Sequence, residues 1–347
     1  MRPLSQFSRI ALAVAALLPA LSITAVAVTD SPWRIHLLSN AGQAAILLWA
    51  TVCALVVARR SVGYLRQLWN LWVASLGTLT AGAALVAYLG SFHATPAATP
   101  WPSDILNFLW VTPALMMLIP WPSEEEGKAK WQYTLDFIQV AIVALTAYLY
   151  FFYVPAIWEV TGPRMFERLR EASVARDAVM AGAFLVRTTT LPRSATRSFF
   201  ARMTGIFLAV ATFDFIGMSQ FGQFNKGAEW IGATWSVPYL LATAFAATWD
   251  TSRDRDIPAP GTTERAWAPS QILAVCIPLL VILMGARIAR EQMTMAWVTI
   301  GVSFACSAAR LILTSERQHR IAEDLRRTEQ ALRRSERMFE SAFRASP

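Results

Sequence analysis

The sequence predicts an all-α protein, a polytopic helical membrane bundle of about ten spans followed by a cytoplasmic coiled-coil helix. Three observations predict it. Of 347 residues, 55% are apolar and only 16% are charged, against roughly 25% charged in an ordinary soluble domain, and the mean hydropathy is +0.40. Apolar runs recur at close to the length of about 20 residues that crosses a bilayer. The character then changes abruptly after Leu313, where Thr314 to Pro347 carries 14 of the 54 charges. A disordered chain is excluded by the hydrophobicity, and a disulfide scaffold by three Cys spread over such a length.

Taken in order, the spans cover 10–28, 38–58, 68–89, 105–119, 133–154, 177–186, 203–218, 230–249, 272–289 and 293–313. The first, preceded by Arg2 and Arg9 and ending near Ala25–Val26–Ala27, also resembles a signal peptide with its cleavage site. Its 19 residues exceed the usual apolar region of about 7 to 15, which favours an uncleaved span; cleavage would leave nine spans and the same position for the C-terminus. The sixth is the shortest, with about three turns before Arg187 and the Thr188–Thr190 run.

Orientation follows from the basic residues, which are retained on the cytoplasmic side. With the N-terminus inside, the inner segments before the tail hold 14 Lys and Arg and the outer loops eight. This puts the C-terminal tail of the multi-pass bundle in the cytoplasm. The net charge of +8 then belongs to the inner membrane face, and no nucleic-acid partner is required.

Four acidic residues lie in or at the spans. A carboxylate in a bilayer costs about 2.5 to 3.5 kcal/mol on insertion scales, so one that persists faces a polar interior or a partner. Asp104, Asp177 and Asp214 fall in the outer half of the membrane, and Asp136 near the inner face. Asp104 and Asp177 sit where an N-cap belongs, which explains both without function. Asp136, near Trp131 and Tyr133, reads as interfacial. Asp214 has apolar neighbours on both sides, so it is either a helix-packing hydrogen-bonder or a sensing site. Arg176 and Arg187 are the partners nearest in sequence.

Catalytic patterns are missing from the sequence. His36, His93 and His319 form no ligand set, so no metal site is expected. Cys53, Cys276 and Cys306 lie in spans, where a thiol is a small hydrophobe. No glycine-rich phosphate loop, GGDEF or EAL run occurs, and no cofactor is expected.

In the tail, Ile321, Leu325, Thr328, Leu332, Ser335 and Phe339 recur at alternating spacings of four and three, the seam of a short coiled coil. Glu323 and Arg327 form an attractive i,i+4 pair, Glu336 and Glu340 a repulsive one. A solvated single helix is the plainer reading. A seam of two or three heptads with Thr and Ser inside it makes at most a weak homodimer.

Residues 325–339, with their Ala331–Leu332–Arg333 and Ser335–Glu336 steps before Phe339, resemble the helix that leads into PAS domains of bacterial signalling proteins. The following Ala342–Phe343–Arg344–Ala345–Ser346–Pro347 resembles the short helix and Ser-Pro with which such domains begin. A second, looser resemblance covers Leu65 to Trp249 and concerns multi-span sensor regions found ahead of PAS, GGDEF, EAL or histidine-kinase modules. It rests on Arg66 and Trp69, Pro102–Ser103–Asp104, Leu135–Asp136, Asp177, Asp214 and Trp235. Several such regions have eight spans, so the pair at 272–313 is a departure.

These resemblances imply three parts: a membrane sensor domain at 1–313, a signalling coiled coil at 314–340, and the start of a PAS domain at 341–347. They imply a signal-input module whose polar cluster of Asp104, Asp177, Asp214 and Trp235 receives a solute or membrane stimulus. They imply an output, absent from this chain, that is a diguanylate cyclase or phosphodiesterase, or a histidine kinase. The competing class is a transporter or channel whose carboxylates line a substrate path.

Overall fold

The computed structural model describes residues 5–92, 102–118, 127–153, 162–192, 194–220, 236–252, 278–286, 288–290 and 292–345. Among the described residues there is no strand. The helices are α1 (Gln6–Ala27), α2 (Pro32–Arg60), α3 (Gly63–Phe92), α4 (Pro102–Leu109), α5 (Val111–Met116) and α6 (Gly127–Tyr148), the last running on into a π-helical turn at Leu149–Tyr153. They continue as α7 (Gly162–Thr190), α8 (Ala195–Gln220), α9 (Val237–Ala247) and α10 (Met293–Ala345). A further helical segment covers 278–286.

Six stretches among the described residues are long and apolar enough to cross a bilayer: Gln6–Ala27, Leu37–Arg60, Gly63–Leu89, Thr134–Phe151, Ala195–Ile216 and Met293–Leu313. The other four expected spans are not among these six. Residues 105–119 are broken at Trp110 into α4 and α5, because Pro113 has no N–H to offer the carbonyl of Leu109. Residues 177–186 are only the second half of α7. Its first half, rich in Arg, Glu and Met, has high helix propensity and starts the helix 15 residues before Asp177. Of 230–249, α9 accounts for 11 residues, and of 272–289 the helix at 278–286 is described.

The main core joins α1, α2, α3, α5, α7, α8 and α9. On α2 the buried face is Ala50, Cys53, Ala54, Val57 and Ala58, small residues that let the neighbouring backbone approach closely. On α3 the large residues Leu65, Leu68, Trp69, Trp72, Leu76 and Leu79 are buried, spaced three and four apart as one helical stripe. They meet Phe199, Phe207 and Phe245. Trp69 stands edge-on to Phe199 at 5.5 Å and to Trp249 at 5.6 Å, while Phe207 stacks on Trp110 at 5.1 Å and on Phe184 at 5.3 Å. The outward surface is apolar as well: Leu283 is 70% exposed, and Phe215 and Trp297 are each 62% exposed. A soluble bundle turns such side chains inward, whereas lipid accepts them.

One end of this bundle is basic. The starts of α1, α3 and α8 and the ends of α2, α7 and α9 meet there, with Arg60 over the Phe7 ring at 5.1 Å, Ser8 Oγ donating to the Ala247 carbonyl at 2.5 Å, and Arg202 donating to the Phe245 carbonyl. Arg9, Arg59, Arg60, Arg66, Arg187, Arg197 and Arg202 lie at these helix ends, against the single carboxylate of Asp250 among the described residues there.

Two smaller clusters hold α6 and α10 together. Ile142 packs with Val281 and Cys306, and Tyr148 and Leu149 pack with Ile288 and Ala296. The pairing of early α6 residues with late ones of α10 makes the two helices antiparallel.

Candidate functional site

Arg176 organises the first polar site. It is centred on α7, not at a helix start. Arg176 Nε and Nη2 donate to the two carboxylate oxygens of Asp177 at 2.9 and 2.8 Å, and Nη1 donates to the Asn107 carbonyl on α4 at 3.0 Å. The guanidinium also lies 5.6 and 5.7 Å from the rings of Phe108 and Trp110. Asp177 is fully buried. The N-cap reading of Asp177 is therefore replaced by a buried ion pair in mid-helix, with bidentate geometry that fixes both groups.

Asp214 on α8 joins this site through Tyr239 on α9, which interacts electrostatically with Asp214, Asp177 and Arg176. Two of the expected cluster residues thus share one tyrosine. Asp104 stands on a different helix. It lies in the first turn of α4, two residues inside the helix that Pro102 opens, where a carboxylate complements the helix dipole; this corrects the N-cap expectation. It acts instead on Tyr148 of α6. Phe108 links the two halves, because its ring lies 6.0 Å from Tyr148 and also receives Arg176. Trp235 lies outside the described residues.

The second polar site ties α6 to α10. Asp136 carries a partly buried ion pair: Arg310 Nε stands 2.8 Å from its Oδ1, and the Arg310 and Asp136 side chains are 10% and 13% exposed. Arg310 Nη2 donates to Asp136 Oδ2 at 3.3 Å. One turn along, Gln139 Nε2 donates to Ser307 Oγ at 2.7 Å, buried. The sequence reading missed Arg310, Gln139, Ser307 and Tyr239. One signal for Arg310 was available, since a lone arginine inside an apolar span demands a carboxylate at similar depth.

Beyond Leu313, α10 continues without a break to Ala345. Leu325 and Leu332 are 70% and 61% exposed, and Thr328 and Ser335 are exposed beside them. The side chains of Ile321 and Phe339, the remaining seam positions, lie outside the described residues, as does Glu340. Thr328 returns its hydroxyl to the Asp324 carbonyl at 2.8 Å. Glu323 meets His319 at 3.6 Å and not the expected Arg327, while Glu329 pairs with Arg333 at 2.6 Å. Cys53 and Cys306 are buried free thiols; Cys276 and His93 lie outside the described residues, as does the His36 side chain. Among the described residues no three His, Cys, Asp or Glu are placed to hold a metal.

No protein-family model, no curated protein and no solved structure matches this chain.

Proposed function

We propose that this chain is the membrane-integrated input module of a bacterial signal-transduction protein, with its C-terminal helix on the cytoplasmic side. The observation that carries this reading is α10. One helix of 53 residues, about 80 Å long at 1.5 Å per residue, begins in the apolar bundle and ends in an exposed, charged segment. Its membrane half is clamped to α6 by Asp136–Arg310 and Gln139–Ser307. A shift at one end of an unbroken helix reaches the other end as a rotation or translation, which is what a two-state transmitter requires.

In this reading the Arg176–Asp177–Asp214–Tyr239 site, with Asp104 and Tyr148 beside it, receives the stimulus. Phe108 and Tyr148 relay it to α6, and α6 passes it to α10 through the two polar contacts. The Leu325–Leu332 face pairs with a second copy of the chain, and a PAS domain followed by a diguanylate cyclase, phosphodiesterase or histidine kinase receives the movement. The resemblance of residues 325–347 to PAS lead-in helices supports that order, and a transporter has no need of such a helix.

The test is to place Asp136→Asn and Asp214→Asn in the full-length protein and measure its signalling output together with solute uptake by cells. Asp136→Asn shifts basal output severalfold, and Asp214→Asn blunts the response. Unchanged output with altered uptake would sink the signalling reading in favour of a transporter.

A further inference from the structure

Three partly buried arginines in this bundle have polar partners. Arg176 holds Asp177, Arg310 holds Asp136, and Arg202 donates to the Phe245 carbonyl and to Thr248 Oγ1. Arg187 breaks the pattern. In the last turn of α7, it has the Phe200 ring at 5.9 Å and the Tyr64 side chain facing it, but no carboxylate among the described residues. Its Nε is buried with no hydrogen-bond partner, and the Tyr64 hydroxyl turned toward the guanidinium makes no well-formed hydrogen bond. A guanidinium withdrawn from water without a counter-ion is costly.

The surroundings supply further unused groups. Ser61, in the turn between α2 and α3, is 2% exposed, and its hydroxyl is buried and unpartnered. Gln67 lies on the same face of α3 as Tyr64, one turn deeper, and its amide oxygen is likewise unpartnered. The turn that brings Ser61 toward Tyr64 depends on Gly63, at a φ of 55°, a left-handed conformation that glycine adopts at no steric cost. Four unsatisfied polar groups on adjoining elements are not expected of a finished core, where buried polar groups are paired.

We propose that Ser61, Tyr64, Gln67 and Arg187 form a binding site for the phosphate of a phosphate ester. The planar guanidinium matches the oxygens of a phosphate, and the Tyr64 and Ser61 hydroxyls donate to its remaining oxygens. The Gln67 amide oxygen accepts from a hydroxyl or ammonium on the ester. These groups lie at the arginine-rich end of the bundle, where exposed Arg59, Arg60 and Arg66 raise the local concentration of anions. Two sources present this chemistry there: the headgroup of an anionic phospholipid, and a small soluble phosphate ester.

The experiment reconstitutes the full chain in phosphatidylcholine nanodiscs with and without phosphatidylglycerol. It counts retained phosphatidylglycerol by native mass spectrometry and follows thermal unfolding while inorganic phosphate is titrated. Removing a charged donor from a phosphate weakens binding roughly tenfold or more, so Arg187→Gln loses the anion. Tyr64→Phe weakens it severalfold, and Arg34→Gln, a charge change at the far end of α2, leaves it within about twofold. Retained phosphatidylglycerol that only Arg187→Gln and Tyr64→Phe release identifies the lipid headgroup. Stabilisation by inorganic phosphate that the same two variants abolish, without preference for the lipid, identifies a soluble ester. Should Arg187→Gln fail to fold, Tyr64→Phe alone decides between these outcomes. Equal binding by wild type and both variants, or no binding of either anion by the wild type, overturns the proposal.

Discussion

Around Trp69 and Phe207 the bundle is locked by rings from α3, α7, α8 and α9 and by Trp110 at the α4–α5 break, which meet edge-on, tilted or stacked, each at 4.8–6.5 Å from the next. Where α6 meets α10, packing is thinner: two small clusters, one around Ile142 and Cys306 and one around Tyr148 and Ala296, are joined by two polar contacts. Aromatic interlock has one low-energy arrangement, since rings that interdigitate cannot slide without opening voids. A side-chain ion pair and an amide–hydroxyl bond tolerate small shifts and can exchange partners with water. The comparison teaches that this fold separates a fixed frame from an adjustable strut, and that the strut is the part continuous with the exposed helix.

The largest way to break the comparison is on the frame side. Phe207→Ala removes a fully buried ring that touches Trp72, Trp110 and Phe184 and should cost about 3–5 kcal/mol, seen as loss of the folded protein in detergent thermal scans. Asp177→Asn comes next. It leaves Arg176 buried without its counter-charge, a loss of about 3 kcal/mol, and the double change Asp177→Asn with Arg176→Gln recovers part of it in the same scan. On the strut side, Asp136→Asn should cost less, about 1–3 kcal/mol, because the Asp136 carboxylate is less buried than that of Asp177 and is held by a longer hydrogen bond. The smallest effect is expected at the exposed seam. Leu325→Glu with Leu332→Glu should leave bundle stability within about 0.5 kcal/mol while abolishing any dimer detected by mass photometry in nanodiscs.

How much of this was legible in the sequence differs between the two regions. The frame was largely readable, because composition and the spacing of Leu65, Leu68, Trp69, Trp72, Leu76 and Leu79 encode a buried helical stripe locally. Helix starts were less so. The apolar window that marks a span begins at Asp177, but the Arg- and Glu-rich stretch before it is equally willing to be helical, so α7 extends far beyond the window. The strut was not readable in detail. Asp136 and Arg310 are 174 residues apart, and nothing local to either one specifies the other; only their shared depth in antiparallel helices does. The arrangement of the expected acidic residues, with Asp177 and Asp214 within electrostatic range of Tyr239 and Asp104 within range of Tyr148, is likewise a product of helix packing that span order alone does not give.

The separation of frame from strut is tested most directly by hydrogen–deuterium exchange of the full chain in nanodiscs, comparing wild type with Asp136→Asn. Local opening exposes only the amides of the unit that opens. The account predicts that exchange in 135–148 and 296–310 rises at least about tenfold, as expected for a loss of about 1.4 kcal/mol or more, while 65–79 and 199–210 keep their wild-type protection. A uniform rise across all four segments, or no rise in the α6–α10 pair, would contradict it.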